Sequence, residues 1–183
     1  MPLFHDQVTN LDQGKEKIRS RRFGVIEVVD ETFRRIRFRP WPKMISSVEA
    51  NWLGGWRHQN RKLNRCLLYY NQPLGSAGYL ALKYVESSLG TSYATFRGAL
   101  VLLDEVAKIK NSCAIVAEVT NSKISERFIL RQGWEPHLEH SKYRHIIRRF
   151  YGEYPDHSSE RILEGVVTPM PSIDELAALD LDP

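Results

Sequence analysis

The sequence predicts a single α/β (α+β) domain, in which helices flank a mixed, mostly antiparallel sheet. Three observations support this prediction. Residues 23–29 are rich in strand-forming side chains and residues 32–39 alternate between apolar and polar ones, as a β-hairpin would. Residues 95–110 repeat apolar side chains at helical spacing, and an apolar run at 114–119 leads into a shorter helical pattern. With 183 residues the chain is long enough to bury the core of one such domain.

The composition is that of an ordinary globular protein, with 42% hydrophobic and 26% charged residues. No apolar run approaches the roughly 18 residues that a membrane-spanning helix needs, and the first residues lack the apolar segment of a secretory signal. We therefore expect a cytoplasmic protein with no membrane partner. In that reducing compartment Cys66 and Cys113, each within an apolar run, are expected to be buried thiols rather than a disulfide.

The first part of the chain divides into a leader and a hairpin. Residues 1–22 are polar and without sustained periodicity, which predicts a flexible leader. The runs at 23–29 and 32–39 are predicted to be two paired strands, with residues 30–31 in the turn between them. The prolines that follow cannot donate to a strand ladder, so they end the hairpin.

The next part of the chain gives weaker patterns. A serine at 46 or 47 would cap a helix that runs to about Arg65, and CLLYY at 66–70 predicts a buried strand. Residues 75–90 are compatible with a helix or with a strand at 79–85. Composition alone slightly favours the helix.

The region from residue 95 onwards gives the clearest predictions. A helix is predicted at 95–110 and a nearly continuous apolar strand at 113–119. Ser122 would cap a helix that ends at about residue 132, with Gly133 as the residue that follows its C-cap. A final strand is predicted at 143–151.

Residues 155–183 are predicted to be an acidic, proline-containing tail that follows the domain at 23–154. They hold seven acidic residues and one arginine, a net charge of −6 in a chain whose total is +4. The rest of the chain therefore carries +10. A basic body with an acidic tail suggests a polyanionic ligand, or a tail that folds back on the body.

Three histidines lie close together in the sequence, at positions 137, 140 and 145. Their spacing is not one that zinc sites use, and the predicted structure divides them between a turn and a strand. No metal site is therefore predicted.

The order of the last predicted elements is helix, strand, capped helix, Gly-Trp turn and strand. This order resembles the C-terminal half of the GNAT superfamily of N-acetyltransferases, and the match lies mainly within residues 92–151. The resemblance implies that two neighbouring strands part and that the pantetheine arm of acetyl-CoA, or of another acyl-CoA, fills the gap. It also implies transfer of the acyl group to an amine, and it places a strand within residues 75–90.

The resemblance assigns acyl-CoA contacts to two places. The phosphate loop of the family, usually Q/R-x-x-G-x-G/A, matches best at Arg97, Gly98 and Ala99, which are therefore expected to bind the pyrophosphate. Asn121 and Ser122 stand where family members form hydrogen bonds with the pantetheine arm. The residues themselves also allow Asn121 to be a helix-cap or turn residue.

Glu118 is the candidate general base. It is the one acidic residue in the apolar strand, and burial there would raise the pKa of its carboxyl group towards working pH, so that it could take a proton from an amine. The same residue could instead face solvent or pair with a basic neighbour. The sequence leaves both interpretations open.

Two departures from the family pattern favour an alternative function. Leu100 and Leu102 stand where the phosphate loop has small residues, and Ile129 stands where a tyrosine often protonates the departing thiolate. The alternative is a non-catalytic protein of the same fold that binds nucleic acid or an acidic protein. The binding surface would come from arginines and tryptophans of the N-terminal half, namely Arg34, Arg35, Arg37, Arg39, Trp41, Trp52, Trp56, Arg57, Arg61 and Arg65.

Overall fold

A computed structural model describes residues 6–42, 63–119, 125–138 and 144–164 of the chain. The strands are β1 (Gln7–Val8), β2 (Phe23–Val29), β3 (Thr32–Phe38), β4 (Arg65–Asn71), β5 (Tyr79–Ser87), β6 (Ala114–Val119), β7 (Glu135–His137) and β8 (Arg144–Arg149). The helices are α1 (Lys15–Ser20), α2 (Tyr93–Ile109) and α3 (Glu126–Arg131), and Arg161–Leu163 form a 3-10 turn. The helix predicted from residue 46 or 47 falls almost wholly outside the described residues.

The strands form one sheet, in the order β1-β3-β2-β4-β5-β6-β8-β7. Every neighbouring pair is antiparallel except β5 and β6, which run parallel. The predicted fold class, a mixed and mostly antiparallel sheet flanked by helices, is confirmed. No helix among the described residues is both long and apolar enough to cross a bilayer.

Strands β2 and β3 form the predicted hairpin. Asp30 and Glu31 take left-handed conformations, with φ of +50° and +61°, as a tight two-residue hairpin turn requires. Ile26 and Ile36 pair across the hairpin and are fully buried in the core. Arg35 follows the opposite alternation, as the sequence predicts, and lies on the other face of the sheet.

Helix α2 lies at the centre of the core. Ser92 is its N-cap, and the Ser92 hydroxyl accepts a hydrogen bond from the N–H of Thr95 at 3.1 Å. The helix packs on β2 and β4, and Leu102, Leu103 and Val106 are fully buried there. The predicted helix is confirmed, although it begins two residues before residue 95.

The described part of the predicted leader (residues 1–22) contains a strand and a helix. Strand β1 pairs with β3, and Leu11 and Ile18 are buried in the core. Their apolar side chains are spaced too widely to give a period of two or of 3.6, so the sequence pattern does not reveal them. Ile162 and Leu163 also belong to the core, so the predicted boundary at residue 154 is wrong: the first part of the predicted tail packs on the domain, because it carries apolar residues that the acidic composition of the tail conceals.

Residues 75–90 contain a strand and not the helix that composition favours. Strand β5 lies between β4 and β6, and Leu80 is fully buried there while Leu82 and Val85 pack against the core. Backbone pairing on both sides overrides local helix propensity, because propensity contributes only tenths of a kcal/mol per residue. The strand implied by the GNAT resemblance is therefore present.

Helix α3 begins at Glu126, after Ser125, whose hydroxyl accepts a hydrogen bond from the N–H of Phe128. The N-cap is thus Ser125 and not Ser122, which lies outside the described residues. The helix ends as predicted at Gly133, where φ is +74°. The N–H of Gly133 donates to the carbonyl of Leu130 and that of Trp134 to the carbonyl of Ile129, which is a Schellman motif.

The two cysteines differ in exposure. Cys66 in β4 is buried, as predicted, and burial raises the pKa of its thiol to about 12. Cys113 is exposed, so the prediction of a second buried thiol is wrong. The reason is that Cys113 lies in the turn before β6 begins at Ala114, and not inside the strand.

Candidate functional site

Strands β5 and β6 part in the middle of the sheet. They pair in parallel from Tyr79 opposite Ala114 to Leu82 opposite Ala117. Strand β5 then continues to Ser87 and β6 to Val119, without further pairing between the two strands among the described residues. We call this gap the β5/β6 cleft. Its sides are residues 83–87 of β5 and 118–119 of β6, which do not pair with each other across the cleft.

A β-bulge accounts for the parting. Tyr69 and Tyr70 are consecutive in β4, but they pair with Tyr84 and Leu82 of β5, so that Lys83 is an extra residue. A bulge bends its strand and increases the local twist. The bulge lies directly after Leu82, the last residue of β5 that pairs with β6. It therefore lies where β5 departs from β6.

Glu118 is the first residue of β6 beyond the last pair with β5. Its side chain is exposed, so the burial on which its predicted role as a base depended is not present. It lies in register with His145 of β8, which in turn pairs with His137 of β7. Side chains of directly paired residues have Cβ atoms about 4.5–5.5 Å apart, so Glu118 and His145 are neighbours on one face of the sheet.

His145 was considered from the sequence only as a possible metal ligand. Among the described residues, no group of three side chains could hold a metal ion, and His140 lies outside them. The pairing with Glu118 depends on the register of β6 and β8, which joins residues 27 positions apart. Local sequence patterns carry no information on such a register.

The start of α2 lies at the same end of the sheet as the cleft, since five residues join β5 to α2. The N–H of Ser92 donates to Oδ1 of Asn64 at 2.8 Å, and the N–H of Thr95 donates to Ser92. The N–H groups of Tyr93 and Ala94 have no hydrogen-bond partner among the described residues. Free N–H groups and the helix dipole make such an end attractive to anions.

A carboxylate of the protein already lies near this helix start. The N–H of Glu31, in the β2–β3 turn, donates to Oγ1 of Thr95 at 3.0 Å. Oε1 of Glu31 lies 3.4 Å from Oγ of Ser92. The hairpin turn thus holds a negative charge beside the start of α2, where the positive end of the helix dipole stabilises it.

Arg97, Gly98 and Ala99 lie inside α2 and not in a loop before it. Their N–H groups belong to the helical hydrogen-bond pattern, and Gly98 and Ala99 are buried. A Cβ on Gly98 would lie 3.1 Å from Ile162. The predicted phosphate loop is therefore not formed by these residues, because the sequence match did not locate the true helix start at Ser92.

Arg97 itself is half-exposed and forms an ion pair with Glu160. The guanidinium therefore faces solvent one turn after the free N–H groups of Tyr93 and Ala94. Leu102 is buried in the core and Leu100 packs partly against it, so these two residues serve helix packing.

The remaining predicted residues are only partly described. Asn121 and Ser122 lie outside the described residues. Ile129 is buried in the core. A phenol is nevertheless present between the helices, because the Tyr93 ring packs edge-on against Phe128 of α3 and its hydroxyl accepts a hydrogen bond from Nε2 of Gln132 at 3.0 Å.

No protein-family model matches the sequence, and no curated protein matches it. Solved structures that are similar to this chain include a protein from Desulfovibrio desulfuricans assigned to the GNAT family of acetyltransferases. It has 16% identity and a TM-score of 0.39, and the match covers 48% of this chain and 60% of that one. They also include a nourseothricin acetyltransferase with 12% identity and a TM-score of 0.40, for which the match covers 78% of this chain and 96% of that one. At these TM-scores the fold assignment rests on the strand order and register of this chain itself.

Proposed function

We propose that the protein transfers the acyl group of acetyl-CoA, or of another acyl-CoA, to an amine. The β5/β6 cleft is the observation that carries this proposal. Two parallel strands that stop pairing halfway no longer satisfy each other's N–H and C=O groups, and backbone groups at such a place need other partners. The amide groups of a pantetheine arm are such partners, and an arm between the strands would act as a missing strand.

The start of α2 supports the same ligand. The N–H groups of Tyr93 and Ala94, which have no partner among the described residues, suit a pyrophosphate, which would then lie at the end of the arm that leaves the cleft. In this proposal Arg97 exchanges its ion pair with Glu160 for a phosphate oxygen. Asn121 and Ser122 remain proposed contacts of the arm.

The reaction requires one proton to leave the amine and one to reach the thiolate. The amine nitrogen attacks the thioester carbonyl, a C–N bond forms, and the C–S bond breaks to release the CoA thiolate. Glu118 is the proposed acceptor of the amine proton, directly or through water, because it lies at the opening of the cleft. Backbone N–H groups of the parted strands would polarise the carbonyl oxygen.

A second candidate is the binding of nucleic acid or of an acidic protein. It is favoured by Arg39, whose guanidinium lies 5.9 Å from the centroid of the Tyr69 ring, a cation–π arrangement. Part of the positive charge on this face is neutralised, because Arg35 and Arg65 both form ion pairs with Glu27. Trp52 and Trp56 lie outside the described residues.

The experiment that tests the first proposal is thermal unfolding with and without acetyl-CoA and longer acyl-CoAs. Ligand at about 100 times its Kd stabilises the folded state by roughly 2.7 kcal/mol. For a chain of this size that corresponds to a rise in Tm of about 5–11 °C. Arg97→Ala should reduce the shift, whereas Arg34→Ala, at an exposed arginine on β3, should not.

The two candidates predict different outcomes. No change in Tm at millimolar acyl-CoA contradicts the acyltransferase proposal. Binding of single-stranded DNA that weakens steeply with salt, in the absence of any acyl-CoA effect, would support the second candidate instead.

A further inference from the structure

Asp104 of α2 is the centre of a buried polar cluster that none of the roles above uses. Its Oδ2 forms an ion pair with Nη2 of Arg148 at 2.8 Å and lies 2.9 Å from Nε2 of His157. The side chains of Asp104, Arg148 and His157 are 7%, 13% and 12% exposed. We call these three residues the Asp104 cluster.

Arg148 connects this cluster to the end of α3. It lies in β8 opposite Ile115, and its Nη1 donates to the backbone carbonyl of Gln132, the C-cap of α3. The last carbonyls of a helix have no partner within the helix and carry a partial negative charge. The guanidinium therefore satisfies the end of α3 and the carboxylate of α2 at once.

Gly133 shows how closely Arg148 approaches α3. A Cβ at this position would collide with the Arg148 guanidinium. The residue must also adopt a φ of +74°, which other residues rarely adopt. The Schellman turn thus requires glycine, and any side chain here would also have to displace the end of Arg148.

His157 extends the same connection to the segment that follows β8. Along this segment the Tyr154 hydroxyl donates to the carbonyl of Ser112 at 2.9 Å, and Ile162 packs over Gly98. Residues 154–163 therefore lie along α2, and His157 joins them to the charged centre of that helix.

Helix α2 follows β5 in the chain and helix α3 follows β6, so each helix is connected to one of the two strands that form the cleft. At their exposed ends they touch through Phe128, whose ring packs against Tyr93 and Phe96. The Asp104 cluster is a second connection, further along α2 and shielded from water.

We propose that the Asp104 cluster holds α3 against α2 and thereby sets the width of the β5/β6 cleft. Asp104, Arg148 and His157 are then positioning residues for acyl-CoA, which they do not contact. The acyl-CoA part of this proposal rests on the proposed function, whereas the coupling of the two helices rests on the contacts alone. A buried charge that loses its partner must find water, so loss of the Asp104 carboxylate should move Arg148 and the end of α3 with it.

The test compares Asp104→Asn with Glu27→Gln. The control also removes a buried carboxylate with two cationic partners, but it lies in β2, away from α3. Hydrogen–deuterium exchange is followed at the amides of residues 132–134 and 154–163, and the Kd of acetyl-CoA is measured by calorimetry. Asp104→Asn should speed exchange at both segments at least tenfold more than Glu27→Gln does and weaken acetyl-CoA binding at least fivefold, whereas Glu27→Gln, which also destabilises the fold, should leave the Kd unchanged.

Unchanged exchange at residues 132–134 in Asp104→Asn would overturn the proposal, and so would an equal change in the control. If the wild type does not bind acetyl-CoA, the proposed function fails while the exchange data still decide the coupling. Should Asp104→Asn not fold, Arg148→Lys provides the same comparison, because it keeps the charge but loses the fork that bridges Asp104 and Gln132. Faster exchange at 132–134 supports the proposal there too, and wild-type exchange contradicts it.

Discussion

The pairing of Glu27 with two arginines gives a stability prediction that can be worked through in numbers. Oε2 of Glu27 accepts a hydrogen bond from Nε of Arg35, and Oε1 contacts Nη2 of Arg65, both at 2.7 Å. The glutamate is 7% exposed, and the two arginines are 37% and 27% exposed. Substitution of Glu27 by Gln removes the negative charge and leaves two guanidinium groups side by side.

The expected cost follows from these exposures. Removing one partner of a fully buried ion pair costs about 3–5 kcal/mol. Both arginines here keep part of their contact with water, so we expect Glu27→Gln to lower the free energy of unfolding by about 2–3 kcal/mol at pH 7. For a chain of this length the loss corresponds to a fall in Tm of about 4–12 °C.

The pH dependence provides a second check. Burial opposes ionisation of Glu27, but the hydrogen bond from Arg35 and the charges of Arg65 and Arg35 outweigh it and hold the pKa of this carboxyl group below its ordinary value of 4.5. A group whose pKa is lowered by folding contributes stability above its unfolded pKa, and this contribution is lost as pH falls through its folded pKa. The difference between wild type and Glu27→Gln should therefore be full at pH 7 and shrink below about pH 4.5.

Urea unfolding of both proteins at pH 7 and at pH 3.5 measures this difference. A loss of less than about 0.5 kcal/mol at pH 7, the usual range for an unremarkable surface substitution, would refute the reasoning. A loss that is the same at both pH values would refute its electrostatic basis.

Two further predictions concern the ends of α2 and α3. Glu31→Gln should lower the free energy of unfolding by about 0.3–1 kcal/mol in urea unfolding, because a negative charge at the start of α2 is lost. It should tighten acetyl-CoA binding, measured by calorimetry, up to about fivefold, because the same charge repels pyrophosphate. Weaker binding would count against a pyrophosphate at this helix start. Gly133→Ala should lower the free energy of unfolding, measured in urea, by about 2 kcal/mol or more, because of the positive φ at this residue and its contact with Arg148. The same change at Gly75, which also has a positive φ but no neighbour within 4 Å, should lower it less. Equal losses would show that Arg148 does not crowd position 133.

Much of the fold follows from local patterns. The hairpin at β2 and β3, the long helix α2 and the Gly133 turn each depend on residues close in sequence, and each is confirmed. Strand β5 forms in place of the helix that composition favours, because β4 and β6 pair with it on both sides. The segment before β2 was missed because its buried residues, Leu11 and Ile18, are isolated apolar positions in a polar stretch.

The site was less predictable, because its features depend on contacts between distant residues. The bulge at Lys83 and the neighbourhood of Glu118 and His145 follow from strand register, which the sequence alone did not provide. The match at Arg97 was partial, with leucines where the loop has small residues, and it lay in the wrong place, since the serine that caps the helix lies five positions earlier. Ser92 followed by Thr95 was a local signal that could have located it.

The central claim is that acyl-CoA lies between the parted strands, and hydrogen–deuterium exchange of the wild type with and without acetyl-CoA tests it most directly. A pantetheine arm in the cleft would accept hydrogen bonds from the strand edges that face it. The account predicts slower exchange at residues 83–87 of β5, at Val119 of β6 and at the start of α2. Saturating acetyl-CoA that leaves exchange at 83–87 unchanged, or that protects only residues away from the cleft, would contradict it.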